Sequence, residues 1–328
     1  MKILYAIQGT GNGHISRARE IVPLLQTYGD LDILISGTQA DVKLTQEIKY
    51  QLHGFSFVFG KNGGVNHFKT WKNMDLFQFK KDMKAIPLKD YNLIINDFEP
   101  VTAWACKTQK IESVSLSHQA AFKSKKVPRP KTIDWGKLIL SHYAPTTHHV
   151  GFHFERYDDY IYTPVIRSEI RGLTISNLDH YTVYLPAVSD QNLVKLLQQI
   201  PSVRWEVFSK HTQHSYSVGN VFVQPIHNER FNTSLASCEG LFTGGGFEGP
   251  AEALFLGKKL LVAPMKFQYE QQCNAYALKQ LGIPVIWGST KNWIPTIKQF
   301  INEPQTHQFN FPDETAMIVA KVVRDFAR

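Results

Sequence analysis

Residues 2–18 read KILYAIQGTGNGHISRA: an apolar run, a glycine-rich turn, and then a helical pattern of apolar residues. Gly9, Gly11 and Gly13 form G-x-G-x-G, which lacks the spacing of a dinucleotide-binding loop. The next predicted strand ends in LISGTQ, without the acid that such a loop requires further along the chain. A P-loop is excluded because no Gly-Lys-Ser/Thr follows. The turn therefore places His14 in the first turn of a helix, at the carboxyl end of a strand.

Strand patterns alternate with helical patterns along the chain, and the alternation restarts near residue 180. This arrangement is typical of α/β proteins with doubly wound parallel sheets. The 328 residues also exceed what one hydrophobic core usually supports. We therefore predict two successive α/β halves with doubly wound parallel sheets, residues 1–165 and 166–312, which join near Pro164. The last residues, 313–328, are predicted to form a helix that packs back on the first domain.

The formal net charge of +8 favours polyanionic partners such as nucleic acid, anionic lipid or diphosphates. No recognisable nucleic-acid-binding module is present, so we expect no nucleic-acid partner. The three cysteines are odd in number and far apart, as in a reducing cytosol. No signal-peptide pattern and no run of about 18 apolar residues is found, which predicts a cytoplasmic protein.

Histidine and aspartate at neighbouring strand ends form a candidate catalytic pair. His14 is a candidate general base, since its unperturbed pKa lies near physiological pH. Asp97 ends the predicted strand NLIIND, and parallel strands bring their carboxyl ends to one edge of the sheet. There it would orient His14 and stabilise the imidazolium. The alternatives are a helix-capping or merely exposed His14, and an Asp97 that caps the helix starting near Pro100.

A second glycine loop lies in residues 242–254, FTGGGFEGPAEAL. Gly244, Gly245 and Gly246 follow a predicted strand, and a helix is predicted to start near Pro250. Backbone amides at a helix N-terminus bind anions without a metal. Glu252 would accept both hydroxyls of a ribose; alternatively, it is a solvated glutamate that the helix dipole favours.

Further polar residues follow the next strand in the string PMKFQYEQQCNA. Glu270, Gln271 and Asn274 lie within about one helical turn. Carboxylate and amide groups in such a row suit sugar hydroxyls, which need hydrogen-bond donors and acceptors together.

Together these motifs resemble the GT-B glycosyltransferases, in particular the branch of the UDP-glycosyltransferases and the peptidoglycan lipid-intermediate N-acetylglucosaminyltransferase. The string GTGNGH is similar to that branch's N-terminal glycine loop, and GGGFEGPAEALFLGKKLLVAP with YEQQCNA is similar to its donor signature. The resemblance implies transfer of a sugar from a nucleotide-sugar, with UDP as the expected nucleotide, to an acceptor hydroxyl. It also implies that the two halves are facing Rossmann-like domains, with the nucleotide-sugar bound mainly by the second. It implies no cofactor beyond this co-substrate.

The resemblance also implies a role for each matching residue. His14 would be the base and Asp97 its partner, with Gly11 and Gly13 clearing space beside the donor. The donor would be held by the diphosphate-binding Gly244, Gly245 and Gly246, the ribose-binding Glu252, the sugar-binding Glu270 and Gln271, the uracil-binding Ile226, the interdomain Arg167, and Ser189 in the first loop of the second domain.

Two departures from the family pattern concern the donor loop. Thr243 and Gly244 stand where many UDP-glycosyltransferases have a histidine. Glu248 would repel a diphosphate unless its side chain points away.

No Asp-x-Asp ends a strand, which agrees with a metal-independent reaction in which amides and a helix dipole stabilise the leaving diphosphate. A single displacement of this kind inverts the anomeric centre.

Two basic segments are candidates for an acceptor-side membrane contact. Residues 61–84 interleave lysines with phenylalanines and a tryptophan, and residues 123–131 read KSKKVPRPK. Such segments suit an anionic bilayer surface and thus a lipid or membrane-associated acceptor, with the protein peripheral at the inner face of the membrane. Two solvated loops are the alternative.

Other functions remain open from the sequence. A UDP-sugar 2-epimerase with the same fold would need further carboxylates, for which Glu99 is the candidate, and a binding protein would have kept the fold without the chemistry. His142, His148, His149 and His153 do not have a zinc-site spacing and are interpreted as strand-edge residues, with no metal site expected.

Overall fold

The computed structural model describes residues 1–10, 12–37, 44–54, 75–131, 135–304 and 308–328. Two sheets, one in each half of the chain, dominate these residues. Each sheet has helices packed against it, so the chain is an α/β protein of the predicted class.

Within the described residues, the first sheet contains seven strands in the order β3-β2-β1-β4-β5-β6-β7, and all neighbouring strands are parallel. Its strands are β1 (Lys2–Gln8), β2 (Asp30–Ser36), β3 (Tyr50–Leu52), β4 (Leu93–Asp97), β5 (Val114–Ser117), β6 (His148–Phe152) and β7 (Ile161–Tyr162). Its helices are α1 (Asn12–Gln26), α2 (Leu76–Ala85), α3 (Pro100–Gln109) and α4 (Trp135–His142).

The second sheet contains six strands in the order β10-β11-β9-β8-β12-β13, and only β10 runs antiparallel to its neighbour. Its strands are β8 (His180–Tyr184), β9 (Arg204–Ser209), β10 (Tyr216–Val218), β11 (Val221–Pro225), β12 (Gly240–Thr243) and β13 (Lys259–Val262). The helices of this half and of the chain end are α5 (Ser168–Arg171), α6 (Asp190–Leu197), α7 (Asn228–Ser237), α8 (Glu248–Phe255), α9 (Tyr269–Gln280), α10 (Ile294–Asn302) and α11 (Thr315–Phe326).

The apolar run of β1 shows why the first sheet is covered on both faces. Ile3, Tyr5 and Ile7 belong to the hydrophobic cluster that contains α1, whereas Leu4 and Ala6 belong to a second cluster with α3. Successive side chains of a strand point to opposite faces, so a continuous apolar run needs a helical layer on each side.

The final helix packs back on the first half of the chain, as predicted. Ile318, Val319 and Val322 of α11 are buried in the same cluster as Ile15 and Ala18 of α1. The predicted boundary between residues 165 and 166 lies between β7 and β8, and the domain limits stay a prediction.

Some predicted elements differ in the structure. A strand predicted at 55–59 lies outside the described residues, as do residues 40–43 of a helix predicted at 40–48, and residues 44–48 are not helical. The helix predicted to start near Pro250 begins earlier, at Glu248. Proline is tolerated in a first turn, whose N–H groups have no intrahelical partner. None of the helices in the described ranges is long and apolar enough to span a membrane.

The turn between β4 and α3 is held by a buried glutamate. Glu99 accepts hydrogen bonds from the Val101 and Thr102 amides at 2.7 and 2.6 Å. Asn96 bonds to the Glu99 backbone from the other side, at 2.7 and 3.0 Å. Glu99 is therefore the cap of α3, a role considered for Asp97 from the sequence, and its carboxylate is committed to the fold.

We expect Glu99→Ala to lower the free energy of unfolding by about 2–3 kcal/mol, because two buried amides lose their acceptor. Glu99→Gln keeps one acceptor oxygen for these amides, so it should lower the free energy of unfolding by about half as much. Urea denaturation measures both, and exposed Glu229→Ala serves as the control. Equal stability of Glu99→Ala and the control would contradict the capping role.

Candidate active site

Strand pairing places the two predicted catalytic residues at one sheet edge. β1 and β4 are parallel neighbours in a register that sets Ile7 opposite Asp97. The turn after β1 is tight, since a Cβ on Gly9 would lie 2.8 Å from the Gly37 carbonyl oxygen. Helix α1 then starts at Asn12 and brings His14 back over the end of β4.

His14 and Asp97 meet in the structure. The Nδ1 atom of His14 lies 2.7 Å from Oδ1 of Asp97. A carboxylate only accepts hydrogen bonds, so Nδ1 carries a proton toward Asp97, and in the neutral imidazole the lone pair lies on Nε2. Asp97 is fully buried, whereas 12% of the His14 side chain is exposed. The pair therefore has the geometry of a base with a buried orienting acid.

Arg17 completes this pair, and sequence reasoning missed it. Its guanidinium donates to Asp97 from Nε at 3.1 Å and from Nη2 at 2.7 and 2.9 Å. Arg17 lies three residues after His14, so both side chains occupy one face of α1. The three-residue spacing is the one sequence feature that indicates a contact between Arg17 and the His14 site, but an arginine at such a position is usually solvated.

The charges of this cluster set the ionisation of Asp97. Burial acts to raise the pKa of Asp97, but Arg17 and His14 outweigh it and hold the pKa below its ordinary value. Burial likewise opposes the charge of Arg17, yet Asp97 and Glu248 keep its pKa above the usual range. The aspartate is therefore a stable anion inside the protein.

Glu248 joins this cluster from the second half of the chain. Its Oε1 atom lies 2.5 Å from Nη1 of Arg17. A Cβ on Gly13 would lie 2.5 Å from Oε2 of Glu248, so the glycine lets the carboxylate approach the first loop. Glu248 thus points toward Arg17, a cation of the first domain. With its charge paired in this way, Glu248 is compatible with an anion at the glycine loop.

The second glycine loop connects β12 to the N-terminus of α8. The Gly245 amide donates to Oε1 of Gln271 at 3.2 Å, and the same oxygen accepts from the Met265 amide at 3.0 Å. A Cβ on Gly246 would meet nothing within 4 Å, so this part of the loop faces open space. Gln271, predicted to hold a donor sugar, braces the loop in this structure.

Arg167 and Glu252, both predicted to touch the donor, bind each other. The Nε and Nη2 atoms of Arg167 donate to the two Glu252 oxygens at 2.5 and 2.8 Å. Nη2 also donates to Asn232 at 3.2 Å, and Nη1 contacts Glu169 and Asn228. Burial raises the pKa of Glu252 while Arg167 opposes this effect. Only 3% of Glu252 is exposed, so Arg167 is its partner here.

The remaining predicted donor residues are spread along the second sheet's carboxyl edge. Glu270, whose pKa burial raises, is half-buried and accepts from Gln119 of the first half at 3.0 Å. Ser189 is exposed and precedes α6 without capping it through its side chain. Ile226 is half-buried after β11. Gly11 lies outside the described residues.

A second buried histidine crosses between the two halves, and sequence reasoning did not select it. Nδ1 of His118 lies 2.8 Å from the Phe152 carbonyl oxygen, and Nε2 lies 2.7 Å from Oδ1 of Asn274. Its ring stacks on Phe247, with centroids 3.8 Å apart. Burial lowers the pKa of His118 to about 3. The only sequence signal was its place after a strand, in SVSLSH.

An aromatic residue lies beside His14. Phe98 has a left-handed backbone with φ of 57°, and its ring is parallel to the imidazole of His14 at 6.3 Å. The ring of Tyr143 packs against Phe98, with the centroids 4.9 Å apart. The strained backbone therefore holds a ring beside the candidate base.

The four clustered histidines do not form one group. His148 and His149 lie in β6 as predicted, but His142 ends α4 and His153 is buried after β6. The strand-edge interpretation was thus wrong for His142 and His153, because His142 precedes the strand, in a helix, and His153 follows it, in the protein interior. Within the described ranges, no three His, Cys, Asp or Glu side chains lie close enough to hold a metal ion.

The fold matches solved glycosyltransferases, and also a sugar epimerase, over nearly the whole chain. SnogD from Streptomyces nogalater is 13% identical, with a TM-score of 0.56, over 100% of this chain and 96% of that chain. MurG from Acinetobacter baumannii is 14% identical, with a TM-score of 0.56, over 100% and 95%. A UDP-N-acetylglucosamine 2-epimerase is 12% identical, with a TM-score of 0.55, over 99% and 96%. The two parallel sheets are thus those of a GT-B fold.

The family is shown by a sequence model. The model described as glycosyl transferase family 1 matches residues 1–303. The chain belongs to this family and is a glycosyltransferase. A search of the curated proteins finds no match.

The buried Asp97–Arg17 contact leads to a pH-dependent prediction. A group whose folded-state pKa is lowered stabilises the fold above its unfolded pKa of about 4, and this contribution is lost as the pH falls through the folded-state value. We expect Asp97→Asn to lower the free energy of unfolding by about 3–5 kcal/mol near neutral pH, since it leaves Arg17 without its buried anion. The difference in free energy of unfolding between the variant and wild type should shrink as the pH falls to about 3.

Urea denaturation between about pH 7 and pH 3 measures this difference, and exposed Asp159→Asn is the matched control. A difference that stays constant over the whole range would contradict the lowered pKa of Asp97.

Proposed function

We propose that this glycosyltransferase is an inverting enzyme that moves a sugar from a nucleotide-sugar, UDP-linked, to an acceptor hydroxyl. One observation carries the proposal: Asp97 accepts a hydrogen bond from Nδ1 of His14, which makes Nε2 the basic nitrogen of the neutral imidazole, and Glu248 at the start of α8 contacts the same cluster. A base and an anion-binding loop thus face each other across the two halves.

The proposed reaction is a single displacement. The acceptor hydroxyl gives its proton to Nε2 of His14 while its oxygen attacks the anomeric carbon. The bond between that carbon and the diphosphate oxygen breaks, and the leaving diphosphate takes the electron pair. Attack from the face opposite the leaving group inverts the anomeric centre.

The leaving diphosphate is proposed to bind at Gly244–Gly246 and the N-terminus of α8. Backbone N–H groups and the helix dipole stabilise such an anion, so the reaction needs no metal ion. Glu252 is proposed to accept the ribose hydroxyls, since a carboxylate has about four lone-pair sites and Arg167 uses two of them. Ile226 is proposed to lie against the uracil, with Ser189 and Glu270 toward the rest of the donor.

We expect His14→Ala to lower the rate of transfer by about 10²–10⁴-fold and to leave the affinity for UDP unchanged, because the base does not hold the nucleotide. The assay would follow UDP release from UDP-sugars with candidate acceptors, and calorimetry would give the affinity. Exposed His142→Ala is the control and should keep full activity. Normal turnover by His14→Ala would refute the base assignment.

A sugar 2-epimerase is the alternative, and two carboxylates favour it. Glu248 and Glu270 both face the first domain, whereas Glu99, considered from the sequence, is committed to capping α3. Epimer formation from UDP-N-acetylglucosamine in the absence of acceptor would establish that alternative. A thermal-shift screen of UDP-, GDP- and dTDP-sugars tests the donor in either case.

We further propose that the acceptor is a lipid or lies at an anionic membrane surface. Phe77 at the start of α2 is 81% exposed, and Lys80, Lys81 and Lys84 follow it at helical spacing. One stripe of α2 thus combines an exposed ring with three lysines, as at an interfacial anchor. Residues 61–74 of the predicted basic segment lie outside the described residues, and residues 123–131 supply further lysines.

We expect the double variant Lys80→Glu/Lys81→Glu to bind vesicles with anionic headgroups at least about tenfold more weakly, since each basic residue contributes about 1 kcal/mol near such a surface. Co-sedimentation with phosphatidylglycerol vesicles at low salt measures the change. Exposed Lys298→Glu on α10 is the control. Equal vesicle binding by the double variant and the control would argue against this surface.

A further inference from the structure

A buried chain of polar contacts runs from the first sheet to the glycine loop of the second half. It starts at the Phe152 carbonyl oxygen and passes through His118 to Oδ1 of Asn274, with contacts of 2.8 and 2.7 Å. Nδ2 of Asn274 then donates to the Gly245 carbonyl oxygen at 3.1 Å. The proposed reaction uses neither His118 nor Asn274.

The same histidine also contacts the far side of the loop. Phe247, the residue before α8, lies flat against the His118 ring with an interplanar angle of 9°. His118 and Asn274 are at most 1% exposed, and Phe247 is 4% exposed. A single side chain of the first domain thus touches both the residue that anchors Gly245 and the residue that ends the loop.

The contact between Asn274 and the Gly245 carbonyl also determines where the Gly246 N–H points. In a trans peptide the C=O and the following N–H point to opposite sides. Since the Gly245 carbonyl points to Asn274, the Gly246 N–H points away from it, on a residue that faces open space. The Gly245 N–H already donates to Gln271. Glycine on both sides leaves this peptide free to turn unless a partner holds it.

We infer that His118 and Asn274 are positioning residues that hold the Gly245–Gly246 peptide with the Gly246 N–H toward a bound diphosphate. This inference rests on the proposed function, in which the loop receives the leaving diphosphate. The affinity of the loop for that anion then depends on the first domain being in contact.

The hydrogen-bond donors and acceptors in this series of contacts allow two arrangements of protons. With Asn274 donating to Gly245, its Oδ1 needs a proton from Nε2 of His118, and the Phe152 carbonyl loses its donor. If His118 donates from Nδ1 to Phe152 instead, the Asn274 amide turns over, and the Gly246 N–H turns inward to meet it. Only the first arrangement offers the Gly246 N–H to an anion, so a bound diphosphate selects it.

The test compares UDP with uridine, which lacks the phosphates, by calorimetry on the full chain. We expect Asn274→Leu to raise the Kd for UDP about tenfold and to leave the Kd for uridine unchanged, because one buried hydrogen bond no longer orients the loop. The kcat at saturating donor should also fall, because the Gly246 N–H would stabilise the charge that develops on the leaving diphosphate. Asn220→Leu, which removes two backbone contacts elsewhere in the second half, is the matched control.

Two variants of the histidine separate positioning from packing. His118→Phe keeps the stack on Phe247 and removes both ring nitrogens, so we expect a rise of about fivefold in the Kd for UDP. His118→Gln retains a donor and should restore affinity to within about twofold of wild type. Unchanged UDP affinity in Asn274→Leu, or an equal loss for uridine, would overturn the inference. Failure of the wild-type protein to bind UDP would instead remove the proposed function on which it rests.

Discussion

The buried contact between Arg17 and Asp97 supports everything else at the site. The guanidinium makes three hydrogen bonds to the carboxylate, and both groups are nearly inaccessible to water. Ionised groups are stable in such a place only when they are paired and hydrogen-bonded. The pair keeps Asp97 charged, and the charged Asp97 fixes the tautomer of His14. The remaining guanidinium nitrogen of Arg17, Nη1, donates to Glu248 in the other half of the chain.

Three polar contacts between the two halves lie around the second glycine loop. Arg17 meets Glu248 at the start of α8, His118 meets Asn274 and Phe247, and Gln119 meets Glu270. Each of these pairs joins a first-half side chain to a second-half residue that lies beside the loop. The loop is therefore shaped by both halves, although its own sequence lies wholly in the second.

The sequence predicted what depends on local pattern and sheet topology. Alternating strands and helices indicate parallel sheets, and parallel strands end at one edge, which is enough to bring His14 to Asp97. The arginine between them was missed because a single arginine on a helix face carries no local signal of burial. The bonds of Arg167 to Glu252 and of Gln271 to Gly245 were also missed, since their partners are far apart in the chain and their geometry is set by packing. Glu248 was expected to repel an anion at the loop unless its side chain points away. Its orientation toward Arg17 depends on how the two halves meet, which no sequence pattern specifies.

The charge balance around His14 has a consequence for the proposed proton transfer. Two carboxylates, Asp97 and Glu248, share one guanidinium, so with a neutral imidazole the cluster carries one net negative charge. When His14 takes a proton from the acceptor, the imidazolium supplies the missing positive charge. The step then removes a net charge from a poorly hydrated region instead of creating one there. A separated first domain, without Glu248, would already be neutral before the proton arrived, so the balance that favours this step exists only while the two halves are in contact.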